Sequence, residues 1–208
     1  TKQETEQQRV LMRVDQWCQE YENRIRDLGG IGFFLGGIGP DGHIAFNVRG
    51  SDHLSTTRLT AVNYETQAAA AGDLGGMEIS RKRLVITIGL GTITYNQDVC
   101  AIVIAAGEAK AQIIADAIQS KQDIQVPATA LHNLKNSRFY ITLGAAKHLR
   151  QRQLDLILIQ KNLDNDTVEK IIIDIAIKLD KRIVDLTETD LLNDEFGTIL
   201  LDRLGEQY

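Results

Sequence analysis

Ile31-Gly32-Phe33-Phe34-Leu35-Gly36-Gly37-Ile38-Gly39-Pro40-Asp41-Gly42-His43-Ile44-Ala45-Phe46-Asn47 is the stretch whose reading decides the fold. The apolar run at 31–35 reads as a buried strand. It breaks into Gly36, Gly37, Gly39 and Pro40, and Gly42 follows two residues later. Glycines at such an exit let the backbone turn sharply or approach a ligand closely. Asp41 and His43 then stand at the strand's carboxyl mouth, where open α/β sheets bind ligands. A carboxylate beside an imidazole can hold one tautomer and move a proton near neutral pH. The same two residues also suit a turn with an Asx hydrogen bond and a surface histidine.

Working outward, the flanks give an α/β pattern. Upstream, Val10, Leu11, Val14, Trp17, Cys18, Tyr21, Ile25 and Leu28 recur in steps of three and four. That spacing predicts a helix with one apolar face, with Trp17 and Tyr21 in the core. Gly29-Gly30 stops it. Downstream, strands are expected at 59–62, 84–88, 99–105 and 139–143, the run at 84–88 buried. Helices are expected at 64–76, where an alanine run precedes Gly72, Gly75 and Gly76, and at 107–120, 128–134 and 145–152. Strands separated by helices argue for a wound, mostly parallel α/β sheet flanked by helices, a partial Rossmann-like fold. The character changes after 153. Residues 154–159 and 183–186 read as short strands. Helices are expected at 168–179, capped by Asp166-Thr167, and at 191–204. Residues 1–152 are therefore expected to form one α/β domain, and 153–208 a small α/β extension with no motif of chemical content.

Composition bounds the class. The 208 residues contain 43% apolar and 25% charged residues, with a net charge of −5. No basic footprint points to nucleic acid. The apolar runs are too short to span a bilayer, and no secretory pattern is present. Cys18 and Cys100 lie far apart and read as free thiols, with no metal box around them. A reducing, cytoplasmic setting is expected. The chain opens at Thr1 within a charged helical segment, and reads as a piece of something longer.

The string Gly37 to Asn47 closely resembles the active-site segment of the glucosamine-6-phosphate deaminase (isomerase) family. Further segments resemble that family in the same order: Trp17-Cys18-Gln19-Glu20-Tyr21-Glu22-Asn23-Arg24-Ile25, Ser55-Thr56-Thr57-Arg58-Leu59, Ile86-Thr87-Ile88-Gly89-Leu90-Gly91-Thr92-Ile93, Ala105-Ala106-Gly107-Glu108-Ala109-Lys110-Ala111 and Pro127-Ala128-Thr129-Ala130-Leu131-His132. The resemblance extends over roughly residues 8–150. The resemblance implies opening of a hexosamine 6-phosphate, a proton shift between C1 and C2, and release of ammonia to leave fructose 6-phosphate. It implies no metal and no organic cofactor. Asp41 and His43 match the ring-opening pair, His43 passing the proton and Asp41 orienting its imidazole. Arg58 and Lys110 match the phosphate-binding cations. A guanidinium grips phosphate through two hydrogen bonds, and Lys110 stands at a helix start. Gly37, Gly39, Gly42 and Asn47 would support the loop. His132 reads as structural, and His148 as a cation at a helix C-terminus.

The chain also departs from that pattern. Val48 stands where the family carries a relay glutamate, with Glu65 a conceivable substitute. Gly72 and Thr60 stand where an arginine and a lysine are found, so an allosteric phosphate site is not expected. Arg49 and His53 lie in the same loop, and read as solvated. The family's segment carrying a phosphate loop and the base for C2 has no counterpart here. The chain is thus expected to be the carboxyl half of a deaminase-like domain. Alone it would bind weakly and turn over little. Completion would come from the missing half, from another copy of the chain, or from the residues after 153. Two alternatives remain: a non-catalytic sugar-phosphate-binding module, and a 6-phosphogluconolactonase-like hydrolase. The string Ile44-Ala45-Phe46-Asn47 fits the deaminases better than the lactonases.

Overall fold

The computed structural model describes residues 2–69, 72, 76, 84–160 and 163–205. The chain divides into two compact units, Thr1–Leu149 and Arg150–Tyr208. The expected border, between 152 and 153, lies three residues further on.

In the first unit the order is α1 (Lys2–Asp27), β1 (Phe33–Gly37), β2 (Arg58–Ala61), α2 (Tyr64–Ala69), β3 (Leu84–Thr87), α3 (Leu90–Thr94), β4 (Cys100–Ala105), α4 (Ala111–Gln119) and β5 (Ser137–Ile141). Short 3-10 helices at Glu108–Lys110 and Pro127–Asn133 join them. β1, β4 and β5 form one parallel sheet in the order β1-β4-β5. Parallel neighbours need crossovers, which α4 and the turn at Pro127–Asn133 supply between β4 and β5. Ala101, Val103 and Ala105 of β4 point into a core with Leu90, Ile93, Ile114, Ala117 and Leu131. Small residues on the central strand let these elements pack close to the sheet. This mixed α/β arrangement fits the wound parallel sheet expected from the strand spacing.

Three expectations are corrected here. The strand at 84–88 is not in the main sheet. As β3 it pairs antiparallel with β2, with Arg58 opposite Thr87 and Ala61 opposite Leu84. Leu84 and Ile86 are exposed, so an apolar run did not mean two buried faces. Trp17 and Tyr21 are not core. They stack on each other with centroids 5.4 Å apart and are exposed, as are Val10 and Leu11. The buried side of α1 is instead held by Cys18 and Glu22. Residues 145–149 are turns rather than the start of a helix.

Both faces of a parallel sheet are normally covered. Here, among the described residues of this unit, one face is covered and the other presents Phe33, Leu35, Ile104 and Tyr140, all exposed. Among the described residues, β1 has one partner strand and an unpaired outer edge. Apolar side chains on that face are the largest departure from a self-sufficient sheet.

The second unit is helical throughout its described residues. It contains α5 (Arg150–Ile159), α6 (Asn165–Lys178), α7 (Glu188–Leu192) and α8 (Glu195–Gly205), with a single turn at Ile183–Asp185. The strands expected at 154–159 and 183–186 are therefore not formed. Short apolar runs do not separate strand from buried helix by periodicity, and Arg150-Gln151-Arg152-Gln153 favours helix ahead of the first. The cap of α6 is Asp164, whose side chain accepts from the Thr167 amide, rather than Asp166-Thr167. Ile157, Ile171, Ile175 and Leu200 form its core. No helix among the described residues is long and apolar enough to cross a membrane.

Ile114 is fully buried against the sheet. Ile114→Ala is expected to cost about 2–5 kcal/mol by urea denaturation. A loss below about 0.5 kcal/mol, the range of ordinary surface changes, would contradict this packing.

Candidate active site

β1 ends at Gly37, paired to Ile104, one residue before β4 ends at Ala105. The chain leaves β1 through buried Ile38 and enters a closed loop. The Gly39 amide donates to the His43 carbonyl at 2.9 Å, and the Gly42 amide to the Gly39 carbonyl at 3.1 Å. Gly42 has φ 82°, a conformation that favours glycine. Gly39 lies under the imidazole. A Cβ there would stand 1.9 Å from Cε1 of His43. Gly37 meets no such limit, since its added Cβ would touch only the Ile104 carbonyl at 3.8 Å.

The loop brings Asp41 and His43 together. Asp41 Oδ1 lies 2.5 Å from His43 Nδ1. Asp41 Oδ2 accepts from Asn63 Nδ2 at 2.7 Å and from the Arg49 amide at 3.1 Å. Burial alone would raise the Asp41 pKa. The hydrogen bonds from His43, the Arg49 amide and Asn63 overcome it and hold the carboxyl well below its ordinary range. An ionised carboxylate only accepts, so the Nδ1 facing it carries the proton. The Thr66 hydroxyl, 3.1 Å from the same Nδ1, accepts a share. In the neutral ring Nε2 then carries the lone pair, and it makes no hydrogen bond among the described residues. The side chain is 15% exposed, against 1% for Asp41. This arrangement can accept a proton at Nε2 and return it, while Asp41 keeps the ring in one orientation.

Two cations join this framework from other elements. Lys110 ends the turn after Gly107, and its Nζ donates to the Ile38 carbonyl at 2.9 Å. Burial lowers its pKa, opposed by the Asp41 carboxylate. Arg58 opens β2. Its Nη1 donates to Asn47 Oδ1 at 2.8 Å, and its Nη2 to the Ser51 hydroxyl at 3.3 Å. Asn47 is fully buried and donates through Nδ2 to the carbonyls of Ile44 (3.0 Å) and Ile88 (2.8 Å). It therefore holds the loop, the end of β3 and Arg58 at once.

The remaining sequence candidates fall elsewhere. Val48 brings no carboxylate, and the side chain of Glu65 lies outside the described residues. Thr60 bonds its neighbour's carbonyl on β2. Arg49 contributes its amide, and its side chain is exposed. His53 is half-buried, and its Nε2 is buried with no hydrogen-bond partner. The His132 Nε2 lies 2.6 Å from the Ala117 carbonyl, a tie between a turn and α4. His148 lies in the turn before α5, not at a helix C-terminus, with Nδ1 3.1 Å from Gln112 Oε1. Asn63 and Thr66 were missed. The Asn63 side chain caps α2 through the Thr66 amide at 3.0 Å, a pattern open to sequence reading. Its second bond, to Asp41, depends on folding. No group of three or more His, Cys, Asp or Glu placed to hold a metal occurs among the described residues.

No protein-family model matches the chain. Curated relatives do. A glucosamine-6-phosphate deaminase of Borreliella afzelii (strain PKo) is 32% identical over 157 residues, covering 74% of this chain and 58% of that protein. A glucosamine-6-phosphate deaminase of Caenorhabditis elegans is 40% identical over 102 residues, covering 49% and 38%. Among solved structures, a monomeric glucosamine-6-phosphate deaminase of the NagB superfamily superposes with a TM-score of 0.57 at 28% identity, covering 62% of this chain and 53% of that one. The chain thus spans between about two fifths and three fifths of these relatives' length.

Gly39→Ala is expected to displace the His43 ring and cost about 1–3 kcal/mol. Unchanged His43 ring resonances in the NMR spectrum would contradict the contact. Asp41 also sets a pH dependence. Its folded pKa lies below the unfolded value of about 4, so its contribution is present above that value and lost as pH falls through the folded one. Asp41→Asn should flatten the decline of stability, followed by urea midpoints, below about pH 4. An equally steep decline in the variant would contradict this.

Proposed function

We propose that this chain, which belongs to the glucosamine-6-phosphate deaminase family over the residues its relatives match, carries the ring-opening and phosphate-binding part of a hexosamine 6-phosphate site. The single observation behind this reading is the Asp41–His43 pair, with Nδ1 committed to the carboxylate and Nε2 uncommitted. His43 Nε2 takes the proton of the anomeric hydroxyl and returns one to the ring oxygen as the C1–O bond of the ring breaks. Asp41, held by Asn63 and the Arg49 amide, keeps Nδ1 protonated throughout. Arg58 and Lys110 exchange their present partners, Asn47 and the Ile38 carbonyl, for phosphate oxygens. In the whole protein the opened sugar is isomerised between C1 and C2, and ammonia leaves.

No residue described here is assigned as the base at C2. The exposed apolar face of the parallel sheet and the free edge of β1 suit a further α/β segment. We take that segment, from the parent or from a second copy, as the source of the missing base. A cytoplasmic setting with free thiols accords with a sugar-phosphate substrate. One observation favours a second reading. Val48 removes a carboxylate from the relay, which suits a module that binds a sugar phosphate without turnover.

Calorimetry with glucosamine 6-phosphate and an ammonia-release assay test both. Binding is expected to weaken by about tenfold or more in Arg58→Ala and in Lys110→Ala, the loss of one charge-assisted contact each. Binding with ammonia release supports the enzyme. Binding without it supports the module. No binding by the native chain, or variants that both bind as tightly as the native chain, contradicts the site.

A further inference from the structure

Glu22 is a buried acid that the proposed chemistry leaves unused. It lies in the last third of α1 and is 6% exposed. Its Oε1 accepts from the Thr57 amide at 2.8 Å, the Thr57 hydroxyl at 2.6 Å and the Thr92 hydroxyl at 2.5 Å. Thr57 and Thr92 are themselves buried. Its Oε2 has no hydrogen-bond partner, and the nearest cation, Arg26 Nε, stands 3.9 Å away. Sequestering a carboxylate with one oxygen unsatisfied is costly. A hydrophobic residue would fill the same space on α1 but leave the Thr57 amide and the two threonine hydroxyls without an acceptor, so the acid is explained by what it holds rather than by packing.

The location of Thr57 supplies a reason. It is the residue before Arg58, at the point where the loop becomes β2. Glu22 takes both its amide and its hydroxyl, which fixes backbone and side chain together. Arg58 is then held from two ends. Glu22 sets where its backbone begins, and Asn47 and Ser51 set where its guanidinium points. Thr92 extends the same carboxylate to α3, whose N-cap is Gly89. There an added Cβ on Gly89 would meet the Ser55 carbonyl oxygen at 2.0 Å. The loop bearing Ser55 and Thr57 is thus clamped between α1 and α3.

We infer that Glu22 is a positioning residue: through Thr57 it fixes Arg58 in the direction from which the guanidinium meets a phosphate. This rests on the reading of Arg58 as a phosphate contact, although the Glu22–Arg58 coupling itself does not need a ligand to be observed. The alternative is that Glu22 stabilises the loop and has no bearing on Arg58.

Two measurements separate these roles. In the ligand-free chain, the Arg58 Nε–H resonance in a proton–nitrogen spectrum reports how the guanidinium is held. Glu22→Ala is expected to move it to the position of a solvated arginine, while the resonances of α4 and β5 stay in place. Glu22→Gln keeps an oxygen for Thr57, and should leave the resonance near that of the native chain. If Glu22→Ala does not fold by circular dichroism, Thr57→Val, which deletes one of the donors, replaces it with the same expected shift. In the second measurement, glucosamine 6-phosphate is titrated into single and double variants. Glu22→Ala should weaken binding about fivefold in the native background and less than about twofold beside Arg58→Ala, since neighbours acting through one contact are not additive.

An unmoved Arg58 resonance in Glu22→Ala or Thr57→Val overturns the inference. So does an equal loss of affinity in both backgrounds, or a failure of Glu22→Gln to restore the resonance. If the native chain does not bind the sugar phosphate but the resonance moves as expected, the positioning role stands and the phosphate reading of Arg58 fails.

Discussion

Burying a carboxylate is costly unless its oxygens find partners, and Asp41 meets that demand at both oxygens within one loop and one helix cap. Leaving it unpaired would cost several kcal/mol. Instead His43, the Arg49 amide and Asn63 converge on it. Each bond pins a different piece of chain: the loop after β1, the segment toward residue 49, and the start of α2. The conformation around the site is therefore a consequence of satisfying one charge. The imidazole orientation follows from the same requirement, because an ionised Asp41 leaves Nδ1 no choice but to donate.

Asn47 plays the neutral counterpart. Its amide spends two donors on backbone carbonyls and its oxygen on Arg58. Between them, Asp41 and Asn47 link β1, β2, β3 and α2 into one polar framework, set on an apolar core of β4, α3 and α4. Val48 lies between Asn47 and Arg49, in a segment whose backbone is already held on both sides. A carboxylate is absent there while the scaffold around it is intact. That contrast is why binding and turnover have to be measured separately.

Much of this was open to reading from the residues. The strand at the start of the glycine loop, the adjacency of Asp41 and His43, and the parallel sheet all follow from local signals: an apolar run, glycine punctuation, and strands spaced by helices. What escaped depends on tertiary contact. The partner of Asp41 on α2 is Asn63, legible only as a cap. The run at 84–88 has the same composition as a central strand, yet it pairs antiparallel with β2 outside the main sheet. Trp17 and Tyr21 satisfy helical periodicity but lie exposed, because periodicity marks a face without saying what covers it. Residues 154–159, expected as a strand, belong to the helix Arg150–Ile159, because six apolar-rich residues fit either period.

The most direct measurement is the tautomer of His43, read from the long-range proton–nitrogen spectrum of the ring at neutral pH with and without glucosamine 6-phosphate. The predicted result is a neutral-ring tautomer with its proton on Nδ1, and a change confined to Nε2 when the sugar phosphate is added. A proton on Nε2 in the free chain, or an Nε2 signal indifferent to the ligand, would contradict the site built around Asp41.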